Sequence, residues 1–282
     1  MLKQHVFTIY IFLKSIILPC ACDENKNTFQ YKKGNQSVQI KRTGRLSSEI
    51  NESSALLVAD SSSFWTLNDS DGQPSLYRIN KKGKLLDSIQ IPNTENIDWE
   101  ALATDTNGNI YIGDFGNNSC RRNDLKIYKF NPESRLTECI HFSYNLDTDS
   151  LNTTQPKNMD AEAMIWYNNR LYIFTKHWKN KMVKLYSLPD IAGTYQAQFE
   201  DSLYISSPVT DAAISPDQSQ LALLTYGKIF LFDTENGINF TKPLRCIRFA
   251  RSGQAEGITT LSGCGWLVSN ENRKFFQVKI GR

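Results

Sequence analysis

The chain has 282 residues, 40% of them hydrophobic and 11% aromatic, which leaves room for a sizeable core and excludes a disordered polypeptide. Thirty-two Lys and Arg against 29 Asp and Glu give a formal charge of only +3, with the basic residues scattered along the sequence. Nothing in that balance asks for a nucleic-acid partner.

Residues 1–22 differ from the rest. Lys3 and His5 precede an apolar run from Val6 to Leu18, broken by Thr8, Lys14 and Ser15 and followed by Pro19-Cys20-Ala21-Cys22. A positive end, a short apolar stretch and small residues make an export signal, and the run is too short and interrupted for a membrane span. Leu18-Pro19-Cys20-Ala21-Cys22 resembles a relaxed bacterial lipobox with Cys22 as the lipidated residue, and Asp23-Glu24 resembles the acidic export tag of surface lipoproteins in the Bacteroidetes group. Simple cleavage and release is the alternative. The expectation is an exported protein of the bacterial cell envelope, periplasmic or outer-surface, touching membrane only through its anchor. Residues 23–36, polar and rich in Asn and Lys, read as a flexible tether to a folded body over 37–282.

That body repeats a unit of about fifty residues. Strands are predicted at 55–59, 64–67, 76–79 and 85–91, then at 101–104, 110–112, 125–130 and 139–144. A third set falls at 163–167, 171–174, 183–188 and within 195–205, and a fourth at 212–215, 221–224, 228–232 and 244–249. The turns Asp105-Thr106-Asn107-Gly108, Asn168-Asn169 and Pro216-Asp217 suit hairpins between the first two strands of a unit. The fifth unit has only 257–261, 266–269 and 275–280, and an unfilled edge is costly, so the segment Ser37 to Arg42 is expected to complete it, Val38 near Val278. The prediction is an all-β, five-bladed β-propeller of four-stranded blades, a monomer, with six blades the nearer alternative and a β-sandwich the more distant one.

Beyond the signal, Cys120 with Cys139 and Cys246 with Cys264 form two sequence-local pairs. In an exported protein each is a candidate disulfide, stabilising by about 3 kcal/mol on the chain-entropy model; four buried thiols are the alternative. The absence of a Cys-x-x-Cys spacing argues against structural zinc.

Alternating strand direction places the residues before each innermost strand and after each second strand on one face. This gathers Asp98, Glu100, Asp160, Glu162, Asp211 and Glu256 with Asn68-Asp69, Asp114, Asn117, Lys176-His177, Tyr226 and Asn270-Glu271. Carboxylates crowded at a channel mouth repel unless neutralised, and oxygen-rich sites suit Ca²⁺ or Mg²⁺, so Asp98, Glu100, Asp114, Asp160, Glu162 and Glu256 are metal-ligand candidates with Ca²⁺ as the expected ion. The competing reading has the same carboxylates accepting backbone hydrogen bonds from neighbouring units and holding the ring together.

His177, beside Lys176 and Trp178 on that face, is the candidate general acid or base, with Lys176 assisting; His141, in an outer strand, reads as packed. Arg121, Arg122 and Lys176 are placed to meet an anion, although a solvated cluster competes. Trp65, Tyr111, Trp166 and Tyr172 read as packing between units, while Trp99 and Trp178 fall at loop positions where a ring stacks on a sugar or peptide. No serine-hydrolase elbow, His-Glu-x-x-His or phosphate loop is present.

Asp98-Trp99-Glu100-Ala101-Leu102 with Ile110-Tyr111-Ile112-Gly113-Asp114-Phe115-Gly116-Asn117-Asn118, Asp160-Ala161-Glu162-Ala163-Met164, Val209-Thr210-Asp211-Ala212 and Gln254-Ala255-Glu256-Gly257-Ile258 resemble exported bacterial β-propellers of the SdiA-regulated and esterase-like phytase families, over residues 45–282. Calcium-bearing propeller hydrolases are a more distant comparison. The chain departs from an even acidic ring: Thr210 and Ala212 stand for the acidic pair in the fourth unit, Glu52 and Ser54 in the first. The resemblance identifies the type of propeller, and much of that group has no assigned activity. The residues are read as a lipid-anchored binding or scaffold propeller whose acidic, cation-binding face takes a protein, glycan or small anionic ligand, with a metal-dependent hydrolase of phosphoesters or lactones as the alternative.

Overall fold

The computed structural model describes residues 38–70, 72–144, 159–176, 181–248, 253–261 and 265–280. Among these the protein is all-β, with twenty strands and no helix. Strands β2 (Ser53–Val58), β3 (Ser63–Asn68), β4 (Ser75–Asn80) and β5 (Leu85–Gln90) form one antiparallel meander. A second comprises β6 (Trp99–Thr104), β7 (Ile110–Asp114), β8 (Lys126–Phe130) and β9 (Thr137–Tyr144); a third comprises β10 (Ala161–Tyr167), β11 (Arg170–Thr175), β12 (Met182–Pro189) and β13 (Gly193–Tyr204). A fourth is built from β14 (Val209–Ile214), β15 (Gln220–Thr225), β16 (Lys228–Asp233) and β17 (Arg245–Arg248).

The last meander, β18 (Ala255–Leu261), β19 (Gly265–Asn270) and β20 (Lys274–Ile280), takes β1 (Val38–Arg45) as its outer strand. The register pairs Ile40 with Val278 and Val38 with Ile280, which is the closure expected from the missing strand. The first strand of each meander lies beside the next in a closed cycle: β2 with β6, β6 with β10, β10 with β14, β14 with β18, and β18 with β2.

The core follows from this cycle. Each hydrophobic cluster is shared by two successive meanders, from Trp65, Leu67, Ile112 and Tyr128 between the first and second to Leu267, Phe275, Leu56 and Phe64 between the last and first. Trp65, Tyr111 and Trp166 sit in these interfaces as expected, and Tyr172 packs against one of them. The strands are apolar on both faces because each sheet has a neighbour on either side, so strict alternation is lost along β7 and β16.

One pairing was not expected. The twelve-residue β13 splits its partners: Gln198 to Tyr204 pair with β12, whereas Gly193 to Ala197 run parallel to Ile140 to Tyr144 of β9. This joins the second and third meanders into one eight-stranded sheet. Ala197 and Tyr195 cover the cluster of Phe142, Tyr144 and Tyr186, where the Tyr144 and Tyr186 rings lie 4.7 Å apart.

Two other expectations are corrected. Cys120 and Cys139 are free: Cys120 lies in the loop after β7, whereas Cys139 sits mid-strand opposite Tyr128 and packs against the cluster of Trp99 and Ile110. His141 lies in β9 but is exposed, because the alternating inward positions are taken by Ile140 and Phe142. His177, Trp178, Cys264, Cys22 and the segments 1–22 and 23–36 lie outside the described residues.

Candidate functional site: the acidic end of the ring

Every innermost strand carries a register shift near its start. Trp99 pairs with Asp114 but Ala101 with Gly113, leaving Glu100 without a partner; the same skip isolates Glu162, Thr210 and Glu256. In β2 the register jumps from Ser53 to Leu56, past Ser54. A bulge re-aims one side chain and sharpens the local twist. Repeated around the cycle, it makes a ring of equivalent positions: Ser54, Glu100, Glu162, Thr210 and Glu256.

A second ring lies two residues earlier, at Glu52, Asp98, Asp160, Pro208 and Gln254. Its carbonyls receive the backbone N–H groups just past the second strands: Asp69 to Glu52 at 3.0 Å, Gly116 to Asp98 at 3.1 Å, Lys176 to Asp160 at 2.7 Å and Glu271 to Gln254 at 3.1 Å. Asp69, Gly116, Lys176 and Glu271 are therefore equivalent positions. This register corrects the sequence alignment of the fourth unit: Thr210 matches Glu100, and Pro208 matches Asp98. Asp211 falls one residue beyond the bulge and does not join the acidic face. Fully buried, its carboxylate accepts N–H bonds from Ile258 at 2.7 Å, Ala212 at 2.8 Å and Leu56 at 3.4 Å, tying β14 to β18 and β2.

Two clusters result. In the first, one carboxylate oxygen each of Asp69, Asp98 and Glu100 lie within 4.8 Å of one another. That spread is what oxygens around one Ca²⁺ at about 2.4 Å require. Gly116 is the second ring's counterpart here, and a Cβ on it would sit 2.4 Å from Cγ of Asp98 and 2.7 Å from Oε1 of Glu100. Any side chain at that position would displace the carboxylates.

The second cluster is centred on Lys176. Its Nζ lies 2.6 Å from Oε1 of Glu162 and 6.0 Å from the centre of the Tyr226 ring, and all three residues are buried. Glu256 bonds to Tyr226 and to Glu271. Asp160 lies between the clusters and is 3% exposed; its Oδ1 accepts the N–H of Asn117 at 2.9 Å, while its buried Oδ2 has no hydrogen-bond partner.

Burial dominates the electrostatics. It raises Asp98 to about 7, with Asp69 and Asp160 adding repulsion, and raises Glu162 to about 8 against the pull of Lys176. Burial also pushes Glu100 well above the carboxylate range, helped by Glu162 and Asp69, and does the same to Glu256. Burial opposes the charge on Lys176, but Glu162, Tyr226 and Glu256 outweigh it and hold the ammonium charged. Among the described residues the carboxylates here outnumber the cations, an imbalance that protons or a hard cation would relieve.

The remaining candidates divide clearly. Asp98, Glu100, Asp160, Glu162 and Glu256 meet at this end, as expected from sequence. Asp114 is committed elsewhere: it accepts the N–H of Asp98 at 3.0 Å and lies 3.0 Å from Arg122 Nη1, which also bonds the carbonyl of Gly116. Arg122 thus pins the loop that carries Gly116 instead of reaching for an anion. Trp99 is fully buried, its Nε1–H donating to the Glu95 carbonyl at 2.9 Å, so it offers no stacking surface. Asp69 was legible as a member of the face but not as a ligand, because its own unit has Ser54 where Glu100 would be.

The opposite end of the ring is largely apolar, with Asp105, Thr259 and Thr260 among its lining residues. A cavity of about 350 Å³ opens there between the innermost strands, lined by Leu56, Leu102, Met164, Ile165, Ala212 and Ala213 among others.

No family model and no curated protein matches this chain. Among solved structures it is similar to an aldose sugar dehydrogenase from Streptomyces coelicolor in its PQQ-bound form, at 7% identity and a TM-score of 0.50, over 87% of this chain and 98% of that one. A gluconolactonase from Xanthomonas campestris has 9% identity and a TM-score of 0.45, over 77% of this chain and 68% of that one. The RRP9 WD40 repeats have 11% identity and a TM-score of 0.43, over 86% and 100%. The first likeness is one of fold, and with the cyclic order of sheets it places the protein among β-propeller-like structures.

Proposed function

We propose that this chain is a five-bladed propeller of the bacterial cell envelope that binds a divalent cation, Ca²⁺, between Asp69, Asp98 and Glu100, and presents it to an oxygen-rich ligand. The carrying observation is the convergence of three carboxylate oxygens within 4.8 Å, two of them from part-exposed residues that leave coordination positions open to the face. The orphaned Oδ2 of buried Asp160 supports it from the side. The closed cycle of β2, β6, β10, β14 and β18 supports the count of five blades. The ligand is a small anion, a glycan or a protein whose oxygens complete the cation's shell.

The signal, the tether and lipidation at Cys22 belong to this reading, as does a disulfide between Cys246 and Cys264.

Binding is favoured over hydrolysis of phosphoesters or lactones because Lys176, the residue expected to assist His177, is buried in its ion pair with Glu162. Calorimetry of Ca²⁺ binding to the protein and to Glu100→Gln tests the reading. Saturable one-to-one binding that Glu100→Gln weakens at least about tenfold is expected, since one charged ligand is lost. Equal heats from both proteins, or none from either, would make the carboxylates structural. Ca²⁺-dependent turnover of a generic phosphoester or lactone would move the reading to the hydrolase.

A further inference from the structure

The molecule separates its charge: carboxylates gather at one end of the axis, and cations gather on the rim where the first and last meanders meet. Gly44 of β1 packs so closely on the turn between β4 and β5 that a Cβ there would lie 1.9 Å from the Lys82 carbonyl oxygen. Ser47 N–H donates to the Gly83 carbonyl at 3.1 Å, and Leu85 N–H donates to Ser47 Oγ at 2.9 Å. These contacts bring Lys41, Arg42 and Arg45 of β1 beside Lys81, Lys82 and Lys84 of the turn, and all six are exposed. Among the described residues none of the six forms an ion pair. Glu49 and Asp87 are the nearest acids in sequence, and Glu49 accepts from the Ser48 hydroxyl.

Edge protection explains part of this. β1 leaves one side unpaired, and charges on an edge strand discourage pairing with another chain. It does not explain three more lysines placed in the turn ahead of β5, the outer strand of the first meander, and not on that strand's own edge. The position of the patch is the stronger clue, because its first strand is the first described element after the N-terminal 37 residues. The patch begins on the strand that the N-terminal segment leads into, with Lys41 three residues past Val38.

We propose that this basic rim docks onto the anionic headgroups of a phospholipid bilayer, the surface to which the segment ahead of β1 tethers the protein. The inference rests on the tether reading above. Each cation near an anionic surface contributes about 1 kcal/mol, and a tether raises the local concentration of a patch too weak to hold alone. Docked by this rim, the ring stands on its side and its acidic end faces along the membrane, away from repulsion by the headgroups.

The test is sedimentation of the full chain with vesicles of phosphatidylcholine alone or mixed with phosphatidylglycerol, across a salt series. The variants are Lys81→Gln/Lys82→Gln/Lys84→Gln and Arg42→Gln/Arg45→Gln, with the exposed Arg121→Gln as control and circular dichroism confirming the fold. Residues 1–22 are common to all, so the salt-sensitive difference between the two vesicle types reads the patch alone. The expected result is preferential binding to the anionic vesicles, lowered at least about tenfold in each patch variant and unchanged in the control. Equal binding to both vesicle types, or binding that survives both patch variants, overturns the proposal. So does equally tight capture by heparin, which would make the rim a site for soluble polyanions. Mass spectrometry of Cys22 reads the tether separately, so a missing lipid and a missing dock are told apart.

Discussion

The two ends of the ring axis are built by the same innermost strands and differ in nearly every physical property. At one end the bulges turn Glu100, Glu162 and Glu256 out of the pleat, and buried carboxylates crowd around Lys176 and an orphaned Asp160 oxygen. At the other the pleat is regular, and the walls are mostly Leu, Met, Ile and Ala, with Asp105 and several Thr and Ser side chains among them, around an open cavity. One skipped residue per strand separates a charged, cation-ready end from an inert one. The cost of burying charge is thus confined to a few positions, and the rest of each strand packs as ordinary core.

The comparison breaks most completely where the acidic end loses its cation. Lys176→Met leaves Glu162 and Glu256 buried without an ammonium, and about 3 kcal/mol of stability is expected to be lost in urea unfolding at pH 8. The loss should shrink at pH 5, where the carboxyls are protonated. Equal losses at both pH values would mean that Lys176 acts by packing. Asp211→Ala, which leaves the Ile258 and Leu56 N–H groups without their acceptor, comes next at about 2 kcal/mol, read in the same way.

A pH series sharpens the contrast. Asp98 near 7 and Glu162 near 8, against ordinary values of 3.8 and 4.5, mean that the folded state keeps protons the unfolded chain releases. Their contribution is complete below the ordinary values and is lost as pH rises through 7 to 8. In chelator, Tm should fall between pH 6 and pH 8.5, and Ca²⁺ should restore it by replacing the protons. A Tm that stays flat in chelator would contradict the shifted carboxyls.

Gly116→Ala is smaller in stability but decisive for the site, because its methyl meets the Asp98 and Glu100 carboxylates; Ca²⁺ heats should vanish while the fold remains. The smallest effect belongs to the apolar end. Ala213→Val adds methyls beside open space, so stability should change by less than about 1 kcal/mol and the Ca²⁺ heats not at all.

Much of this was legible in the sequence. The repeated acidic pair, the aromatic second strands and the Asn- and Asp-rich turns set the number and order of strands, and the incomplete last unit announced its closure by β1. What could not be read was register. A one-residue skip is silent in a periodicity, so Asp211 was grouped with the axial carboxylates although it sits in the wall, and the acidic pair was matched to Thr210 and Ala212, two positions beyond Pro208 and Thr210. Trp99 looked like a loop residue because the strand begins two positions earlier than the start at Ala101 read from the pattern. Cys120 and Cys139 were paired by their spacing, but a strand that places one thiol mid-sheet and the other in an end loop separates them. The parallel run of β13 beside β9 has no local signature, since Gly193 to Ala197 is polar and owes its place to Tyr195 covering the cluster beneath.

That parallel run sets where the polypeptide can be recut. Most joints between successive sheets are made by side chains, and the ring already closes without a covalent bond where β1 lies on β20. New termini placed between the third and fourth or the fourth and fifth meanders, with the old ends joined, would leave every main-chain ladder among the described residues whole. A cut in the loop before β13 would free the one segment whose backbone belongs to two sheets at once, and would release two of them together.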